Sequence, residues 1–359
     1  MKAAQFFGQR DIRIVDVPKP EPKDNEALVA IEWAGICGSD LHEYLIGPSA
    51  IPKEGKPHPV TKETLPVTMG HEFCGRIISV PDGSDLKEGQ AVMVDPRIYC
   101  GDCSRCKAFT TNGCRTWGFK GLSGSGGGFS EAVATDARLC YPLPESVDLK
   151  LAALIEPLAV AWHAVAICGV FGWAYKSVLI LGGGPVGIAH IYVLRAMGCE
   201  KIFVSEPTAL RAEQNRKLAD EVFNPIKDDV AERCRELTNG EGVDVVFDCA
   251  GIQRALDAGF DAVRFKGVYM NVAAWEGQMV IPSGLLLLKE LTLKASMAYN
   301  DKAFKDTVDA FVAGKFDGAG DMVTSRIYID DIKEKGFEEL VTNKDRHVKI
   351  MVTTKRELV

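Results

Sequence analysis

The sequence predicts a two-domain α/β protein, in which a β-rich domain is joined to a doubly wound parallel sheet. Its 359 residues exceed the usual range of a single domain. Up to about residue 150, short apolar segments alternate with turns rich in glycine and proline, which is typical of a β-rich, barrel-like domain. From about residue 157, apolar strands alternate with helical stretches, which is the pattern of a doubly wound sheet.

The β-rich domain is predicted to contain strands at 28–33, 74–80, 90–95 and 129–135. After about residue 300, a polar helix at 302–313 and an edge strand at 348–352 are expected to rejoin this domain. The predicted β-rich domain therefore comprises residues 1–156 and 300–359.

The doubly wound domain is predicted to span residues 157–299. Its strands are expected at 177–181, 201–205, 243–248 and 267–272. The four leucines at 285–288 fit either an exposed segment that dimerises this domain or a buried helix.

Four cysteines in the first domain have the spacing of a zinc site: Cys100, Cys103, Cys106 and Cys114. Two Cys-x-x-Cys turns and a nearby fourth thiol supply the tetrahedral thiolate shell that structural zinc prefers. The tract shows little apolar periodicity that would bury thiols for packing, which disfavours reduced surface cysteines. The spacing predicts a structural zinc lobe, of the kind found in nucleic-acid-binding ribbons and in enzymes.

Composition separates these two alternatives. The net charge of −7 argues against a nucleic-acid partner, because such proteins usually carry a basic surface. No apolar run approaches the length needed to span a bilayer, and residues 1–8 lack a signal core. The odd number of cysteines, eleven, fits a reducing compartment. We therefore expect a cytoplasmic protein with a small-molecule partner, and neither a nucleic-acid nor a membrane partner.

A glycine-rich turn in the second domain predicts a dinucleotide site. Gly182, Gly184 and Gly187 form a G-x-G-x-x-G pattern directly after one predicted strand and before a predicted helix. The glycines permit a tight turn, close approach of the pyrophosphate and close helix packing, and the helix N-terminus binds phosphate. Pro185 and Val186 belong to the same turn.

The next strand ends at Glu206, where a carboxylate binds the adenosine ribose hydroxyls and repels a 2′-phosphate. This position favours NAD over NADP. Arg211 keeps the NADP alternative open, although an arginine there also commonly points into water. Later strand ends, at Ala250, Asn271 and Val272, are expected on the same sheet edge, where the nicotinamide half would lie.

A second metal site is indicated by Cys37, His71 and Glu72, which lie beside glycine turns of the first domain. Each residue alone is weak evidence, because a lone cysteine or histidine is commonly a packed core residue. A catalytic zinc needs about three protein ligands and one open position, and thiolate and imidazole suit it.

The order of these motifs resembles that of the medium-chain zinc-dependent alcohol and polyol dehydrogenases, over essentially the whole chain. The matching segments are residues 35–44, 70–72, 155–163 and 182–187, together with the four-cysteine lobe. Residues 42–44 and the Glu156-Pro157 segment look most like the 2,3-butanediol dehydrogenase branch, with sorbitol and xylitol dehydrogenases as near relatives. The resemblance implies a GroES-like catalytic domain and a Rossmann-type NAD-binding domain.

The resemblance also implies two zinc ions per chain, one structural and one catalytic. The catalytic zinc would be held by Cys37, His71 and a glutamate. Many simple alcohol dehydrogenases have a second cysteine where this sequence has Glu156, and the family also shows the glutamate after the histidine, here Glu72, in contact with metal. We expect Glu156 as the third ligand and Glu72 as an exchanging or neighbouring partner.

The implied reaction is hydride transfer from a secondary alcohol to NAD, with zinc as the Lewis acid. By the resemblance, Ser39 takes the alcohol proton and passes it through the nicotinamide ribose to His42. The structural alternative is that Ser39 caps a helix beginning at Asp40 and that His42 is merely exposed.

A vicinal diol suits this site, and 2,3-butanediol/acetoin interconversion is the reaction expected from the resemblance. The alternatives are a polyol dehydrogenase acting on sorbitol, xylitol or arabinitol, and a non-catalytic protein that binds zinc and a dinucleotide. The joint presence of the metal-site residues disfavours the non-catalytic alternative. Tyr44, Trp117 and Phe119 are expected to line the substrate pocket, and a homodimer or homotetramer is expected.

Overall fold

The computed structural model describes residues 1–359, apart from the side chain at position 344. The chain divides into two compact units. The first unit contains Met1–Glu156 and Asn300–Val359, and the second contains Pro157–Tyr299.

The strands follow one another along the chain as β1 Lys2–Gly8, β2 Asp11–Asp16, β3 Glu26–Gly35, β4 Val67–Thr68, β5 Glu72–Ser79, β6 Ala91–Val94, β7 Arg97–Ile98, β8 Gly118–Phe119, β9 Ala132–Asp136, β10 Cys140–Pro142, β11 Ser177–Leu181, β12 Lys201–Ser205, β13 Glu221–Phe223, β14 Val243–Asp248, β15 Val263–Asn271, β16 Thr292–Ala295, β17 Val323–Tyr328 and β18 Lys349–Thr353. The α-helices are α1 Gly38–Ile46, α2 Ser104–Lys107, α3 Leu149–Ala152, α4 Ile155–Ile167, α5 Pro185–Ala196, α6 Ala209–Arg216, α7 Val230–Leu237, α8 Gln253–Ala262, α9 Ser283–Leu288, α10 Asp301–Val312 and α11 Glu339–Thr342.

The first unit is built on a mixed sheet in the order β10-β6-β5-β3-β18-β17, with β9 also paired to β3. A smaller sheet has the order β2-β1-β4, and β7 pairs with β8. The long strand β3 has seven buried residues, because it receives neighbours on both sides and packs against the interior. This unit confirms the predicted β-rich architecture.

The C-terminal segment rejoins the first unit, as predicted, but not at an edge. Strand β18 lies between β3, with which it is antiparallel, and β17, with which it is parallel. All five of its residues are buried. The prediction of an edge strand at 348–352 was therefore wrong, because a largely apolar run with one lysine does not reveal whether one or two neighbours cover it.

The second unit contains a parallel six-stranded sheet in the order β13-β12-β11-β14-β15-β16. Its order reverses between β11 and β14, which is the topological switch point of a Rossmann fold. Helices α7 and α8 cover a core that contains Leu179, Val246 and Tyr269, all fully buried. The doubly wound sheet is confirmed.

The four leucines at 285–288 lie in the short helix α9. Leu285 and Leu286 are partly buried against the core of the second unit, whereas Leu287 and Leu288 are 77% and 76% exposed. The segment is therefore a half-buried helix, between the two alternatives considered from sequence.

Candidate active site

The donor atoms of Cys37, His71 and Glu72 lie within 4.8 Å of one another in the first unit. Cys37 is the N-cap of α1, while His71 and Glu72 stand at the entry to β5. Strands β3 and β5 are paired, with Gly35 opposite Glu72, so the turn that follows β3 is brought beside the start of β5. Strand pairing therefore assembles donors that lie more than thirty residues apart in the chain.

Asp40 orients two members of this cluster. Its Oδ2 accepts a hydrogen bond from the backbone N–H of Cys37 at 2.9 Å, and its Oδ1 lies 3.3 Å from Nδ1 of His71. Asp40 is fully buried. Because a carboxylate only accepts, a neutral His71 keeps its proton on Nδ1 and leaves the lone pair of Nε2 for a metal. We did not identify Asp40 from sequence, although an acid three residues after a helix N-cap was the available signal.

Ser39 contacts the other side of the same imidazole, with its Oγ 3.1 Å from Nε2 of His71. Helix α1 begins at Gly38, so Ser39 lies inside its first turn and does not cap it, contrary to the structural alternative considered from sequence. His42 is half-buried three residues further on, on the same face of the helix.

Glu72 is held by a buried lysine from the other end of the chain. Nζ of Lys349 lies 2.7 Å from both carboxylate oxygens of Glu72 and also donates to the carbonyl of Ile36. Burial lowers the pKa of Lys349, but the charges of Glu72 and Cys37 outweigh it and raise the pKa overall. Lys349 therefore remains a cation, and sequence analysis missed it because it stands in an otherwise apolar strand.

Glu156 is also buried, and its charge contributes to raising the pKa of Lys349. Glu156 does not belong to the three-residue donor cluster, whose third member is Glu72. The donor distances thus favour Glu72 as the third ligand, whereas the pairing of both Glu72 oxygens with Lys349 favours Glu156.

The donor set fits zinc, since a thiol, an imidazole and a carboxylate are the ligand types of catalytic zinc sites. Burial lowers the pKa of His71, but Asp40 and Cys37 outweigh it and raise the pKa well above the usual value. The pocket around His71 therefore attracts positive charge, as a cation site requires.

The four-cysteine lobe is assembled around α2. The sulfurs of Cys100, Cys103, Cys106 and Cys114 lie within 4.8 Å of one another, with Cys103 and Cys106 separated by 3.6 Å and Cys100 and Cys114 by 3.5 Å. A tetrahedral Zn–S₄ site has sulfur–sulfur separations of about 3.8 Å, so the cluster fits zinc.

Backbone N–H groups support thiolates in this lobe. Cys114 Sγ accepts from the N–H of Cys100 at 3.3 Å, and Cys100 Sγ accepts from the N–H of Cys103 at 3.4 Å. Hydrogen bonds from the backbone, first of all from Arg115, lower the pKa of Cys103 to about 6. All eleven cysteines of the described chain are free thiols.

The three aromatic residues expected in the pocket have different environments. Tyr44 is fully buried; it packs on Phe337 and donates to Glu338, so it is a core residue and its prediction as a pocket wall was wrong. Phe119 lies edge-on to the ring of His71, at 5.7 Å between centroids, and Trp117 packs on Phe119 at 4.9 Å. These two residues stand beside the metal cluster.

In the second unit, the glycine-rich turn connects β11 to α5. Gly182 has a φ of +92°, which disfavours any side chain. A Cβ on Gly187 would lie 2.0 Å from the carbonyl oxygen of Gly182, so the helix packs against the turn at a distance that only glycine allows. Gly184 is the N-cap of α5, and Pro185 and Val186 begin the helix. The turn has the backbone of a phosphate-binding loop.

Glu206 follows β12 and reaches this turn. Its carboxylate accepts from the backbone N–H of Gly183 and of Thr208, both at 2.8 Å, and its side chain is buried. Arg211 is half-buried on α6, with Nη1 3.8 Å from the position of a Cβ on Gly184. Arg211 therefore lies along the glycine turn instead of pointing into water.

The later strand ends lie at the same carboxyl edge of the sheet. Asp248 Oδ1 accepts from the N–H groups of Ala250 and Gly251, and its carbonyl accepts from the N–H of Val272. Asn271 ends β15 and accepts from the indole of Trp275 at 3.1 Å. These contacts fix the backbone of the strand ends at Ala250, Asn271 and Val272.

No helix in the part of the chain that the structure describes is both long and apolar enough to cross a membrane.

Comparison with known families identifies the class of protein. The model of the alcohol dehydrogenase GroES-like domain matches residues 23–145, and the model of the zinc-binding dehydrogenase matches residues 185–313. The chain belongs to the zinc-binding alcohol dehydrogenase family. The predicted combination of a GroES-like domain with a Rossmann-type domain is confirmed.

Its relatives include butanediol dehydrogenases. The (R,R)-butanediol dehydrogenase of Neisseria gonorrhoeae is 38% identical over 356 residues, which cover 98% of this chain and 99% of the relative. The crystal structure of 2R,3R-butanediol dehydrogenase from Bacillus subtilis has a TM-score of 0.91 and 36% identity, and the alignment covers 99% of each chain. A Sinorhizobium meliloti chain of zinc-binding dehydrogenase type, solved with NADP, has a TM-score of 0.87 and 26% identity over 98% of each chain.

Proposed function

We propose that this protein is an NAD-dependent dehydrogenase of vicinal diols that interconverts 2,3-butanediol and acetoin. The observation that carries the proposal is the cluster of Cys37, His71 and Glu72, held by Asp40 and Lys349. A thiol, an imidazole and a carboxylate at one point suit activation of an alcohol. The similarity to butanediol dehydrogenases over nearly the whole chain supports the substrate.

NAD is the proposed dinucleotide, with two zinc ions per chain. The buried carboxylate of Glu206 stands where the adenosine ribose binds in this fold, and it would repel the 2′-phosphate of NADP. Arg211 lies beside the same turn and supplies a positive charge near the pyrophosphate. The four clustered thiols support a structural zinc, and Cys37 and His71, with a carboxylate from either Glu156 or Glu72, support a catalytic zinc.

Bound zinc supplies Lewis acidity that makes the substrate hydroxyl more acidic. The protein's own groups then manage the proton. The hydroxyl of Ser39, 3.1 Å from Nε2 of His71, is positioned to accept a proton beside the metal ligands. His42 lies one helical turn further along α1 and is the proposed exit toward solvent.

For the third zinc ligand we propose Glu156, with Glu72 as an exchanging or neighbouring carboxylate. Both oxygens of Glu72 are already bonded to Lys349, and both side chains are 1% exposed. Taking Glu72 for zinc would weaken the pairing of a buried lysine, which is costly.

The first test is an activity panel with zinc-loaded protein. We expect NADH formation from NAD⁺ and (R,R)-2,3-butanediol, with lower activity on sorbitol, xylitol, arabinitol and ethanol, and with NADP⁺ in place of NAD⁺. Cys37→Ser should lower kcat by at least about 1,000-fold while leaving NADH binding, measured by fluorescence, unchanged. Preference for a polyol would overturn the substrate, and normal turnover by Cys37→Ser would overturn the catalytic metal site.

The third ligand is tested by zinc content. We expect Glu156→Gln to retain about one zinc per chain, whereas the double variant E72Q/K349M, in which neither partner is left unpaired, retains about two. The matched control is Glu145→Gln, which changes an exposed acid of the same unit. The reverse pattern, with zinc lost from E72Q/K349M only, would assign the ligand to Glu72.

The proton path is tested by the pH profile of His42→Ala. If His42 transfers the proton to solvent, the substitution should slow turnover about tenfold near pH 6.5. The effect should be much smaller near pH 9, where hydroxide can accept the proton in place of the imidazole. Added imidazole should restore part of the loss at low pH. His347→Ala, remote in sequence and hydrogen-bonded to Thr324 and Glu339, is the control. A pH profile identical to that of the unmodified protein would argue against the relay.

We further propose a cytoplasmic homodimer or homotetramer in which β16 of two copies pair. Strand β16 is the edge of the parallel sheet, and the neighbouring helix α9 exposes Leu287 and Leu288. An open strand edge beside exposed leucines favours association with a second copy. The eleven free thiols suit a reducing compartment.

The double substitution L287D/L288D should shift the sedimentation coefficient toward that of a smaller species, because it places charges on the proposed contact. A monomer at micromolar concentration of the unmodified protein would contradict the proposal.

A further inference from the structure

A cavity of about 410 Å³ opens in the first unit, and it shares no residue with the metal cluster. Its walls come from residues 1–26, from Glu63 and β4, from the loop that follows β8 and from β9. Charged side chains on these walls are those of Lys23, Glu26, Glu63 and Lys120, and the N-terminal ammonium of Met1, which donates to the carbonyl of Val17, also lines the cavity. The volume lies in the range of cavities that bind small molecules.

Lys120 is the unusual member of this group, because it is only 5% exposed. Among the described residues, its Nζ has one hydrogen-bond acceptor, the carbonyl of Ser125 at 3.1 Å. Two other lysines, the buried Lys349 and the half-buried Lys289, have more hydrogen-bond acceptors. Nζ of Lys349 bonds a carboxylate and a carbonyl, and Nζ of Lys289 donates to three carbonyls at 2.6 to 3.0 Å. An ammonium has three donors, so Lys120 keeps donor capacity that the protein's own acceptors do not use.

Each carboxylate of the cavity accepts one backbone N–H group from another residue of its walls. Glu63 Oε1 accepts from the backbone N–H of Ser125 at 2.9 Å, and Glu26 Oε2 accepts from that of Lys23 at 3.0 Å. Burial lowers the pKa of Lys120 to about 8, although both glutamates act against this shift. At neutral pH Lys120 therefore remains mostly protonated, a buried cation with incomplete pairing.

We propose that this cavity is a binding site for a small carboxylate, whose anionic group bonds Nζ of Lys120. The ligand's apolar part would lie against Val17, Pro18 and Val133, which also line the cavity. Glu26 and Glu63 repel an anion at longer range and limit the affinity, so binding in the millimolar range is expected. Binding of a carboxylate at this site does not depend on the proposed dehydrogenase reaction.

The site has a physical connection to the metal cluster. Lys120 directly follows Phe119, whose ring lies edge-on to His71. The same loop is anchored to the metal-site turn, since Gly128 N–H donates to the carbonyl of Gly70 at 2.7 Å. A ligand bound to Lys120 would therefore change the packing of Phe119 against His71.

The test is binding of butyrate to the full-length, zinc-loaded protein, measured by saturation-transfer NMR and calorimetry. Butyrate should bind saturably with a Kd of about 1 to 10 mM, and the neutral isostere butyramide at least about tenfold more weakly. Lys120→Met, which keeps the length of the side chain without its charge, should weaken butyrate binding about tenfold or more. Lys23→Met, at an exposed position of the same cavity, should change it less than about threefold.

A carboxylate could also bind zinc, and Cys37→Ser separates the two sites. Butyrate binding that survives Cys37→Ser and is lost in Lys120→Met supports the proposal. Binding that is lost in Cys37→Ser and kept in Lys120→Met overturns it, as does the absence of saturable binding to the unmodified protein.

Discussion

The buried ion pair between Lys349 and Glu72 is the contact on which the first unit depends. It joins the interior strand β18 to the start of β5, where the metal donors stand, across 277 residues of sequence. Two charges taken out of water are stable only when each is fully paired, and removing one typically costs about 3–5 kcal/mol. The pair therefore fixes the position of β18 and the orientation of Glu72 at the same time.

Buried carboxylates position both proposed sites by the same means, which is the acceptance of backbone N–H groups. Asp40 takes the N–H of Cys37 in the first unit, and Glu206 takes the N–H of Gly183 in the second. In each case the acid fixes a turn whose own atoms are proposed to contact a ligand. These atoms are the thiol of Cys37 in the first unit and the backbone amides of the glycine turn in the second. The second oxygen of Asp40 then faces His71, so one carboxylate orients two donors.

Sequence alone located those features that local spacing encodes. The four cysteines, the glycine turn and Glu206 lie within short segments, and the strands at 177–181, 201–205 and 243–248 have the predicted bounds. The contacts that depend on distant pairing were missed. Lys349 and Asp40 were not identified, and Tyr44 was misplaced, because burial and partner choice follow from how β3, β5 and β18 come together. The sequence could not decide between Glu72 and Glu156 as the third zinc ligand for the same reason. Both acids are buried, and both charges act on Lys349.

The order of the strands has a consequence for biosynthesis. The second unit is one continuous segment, Pro157–Tyr299, so all of its strands are synthesised before the first unit is complete. The first unit must wait for β18, which is the last of its strands in the sequence and inserts between β3 and β17. Until then the end of β3 at Ala34 and Gly35 lacks this neighbour and Glu72 lacks its counter-charge, so the nascent first unit is the segment that needs protection from aggregation. Loss of residues 349–353 would remove β18, so the end of β3 and the carboxylate of Glu72 would remain without these partners.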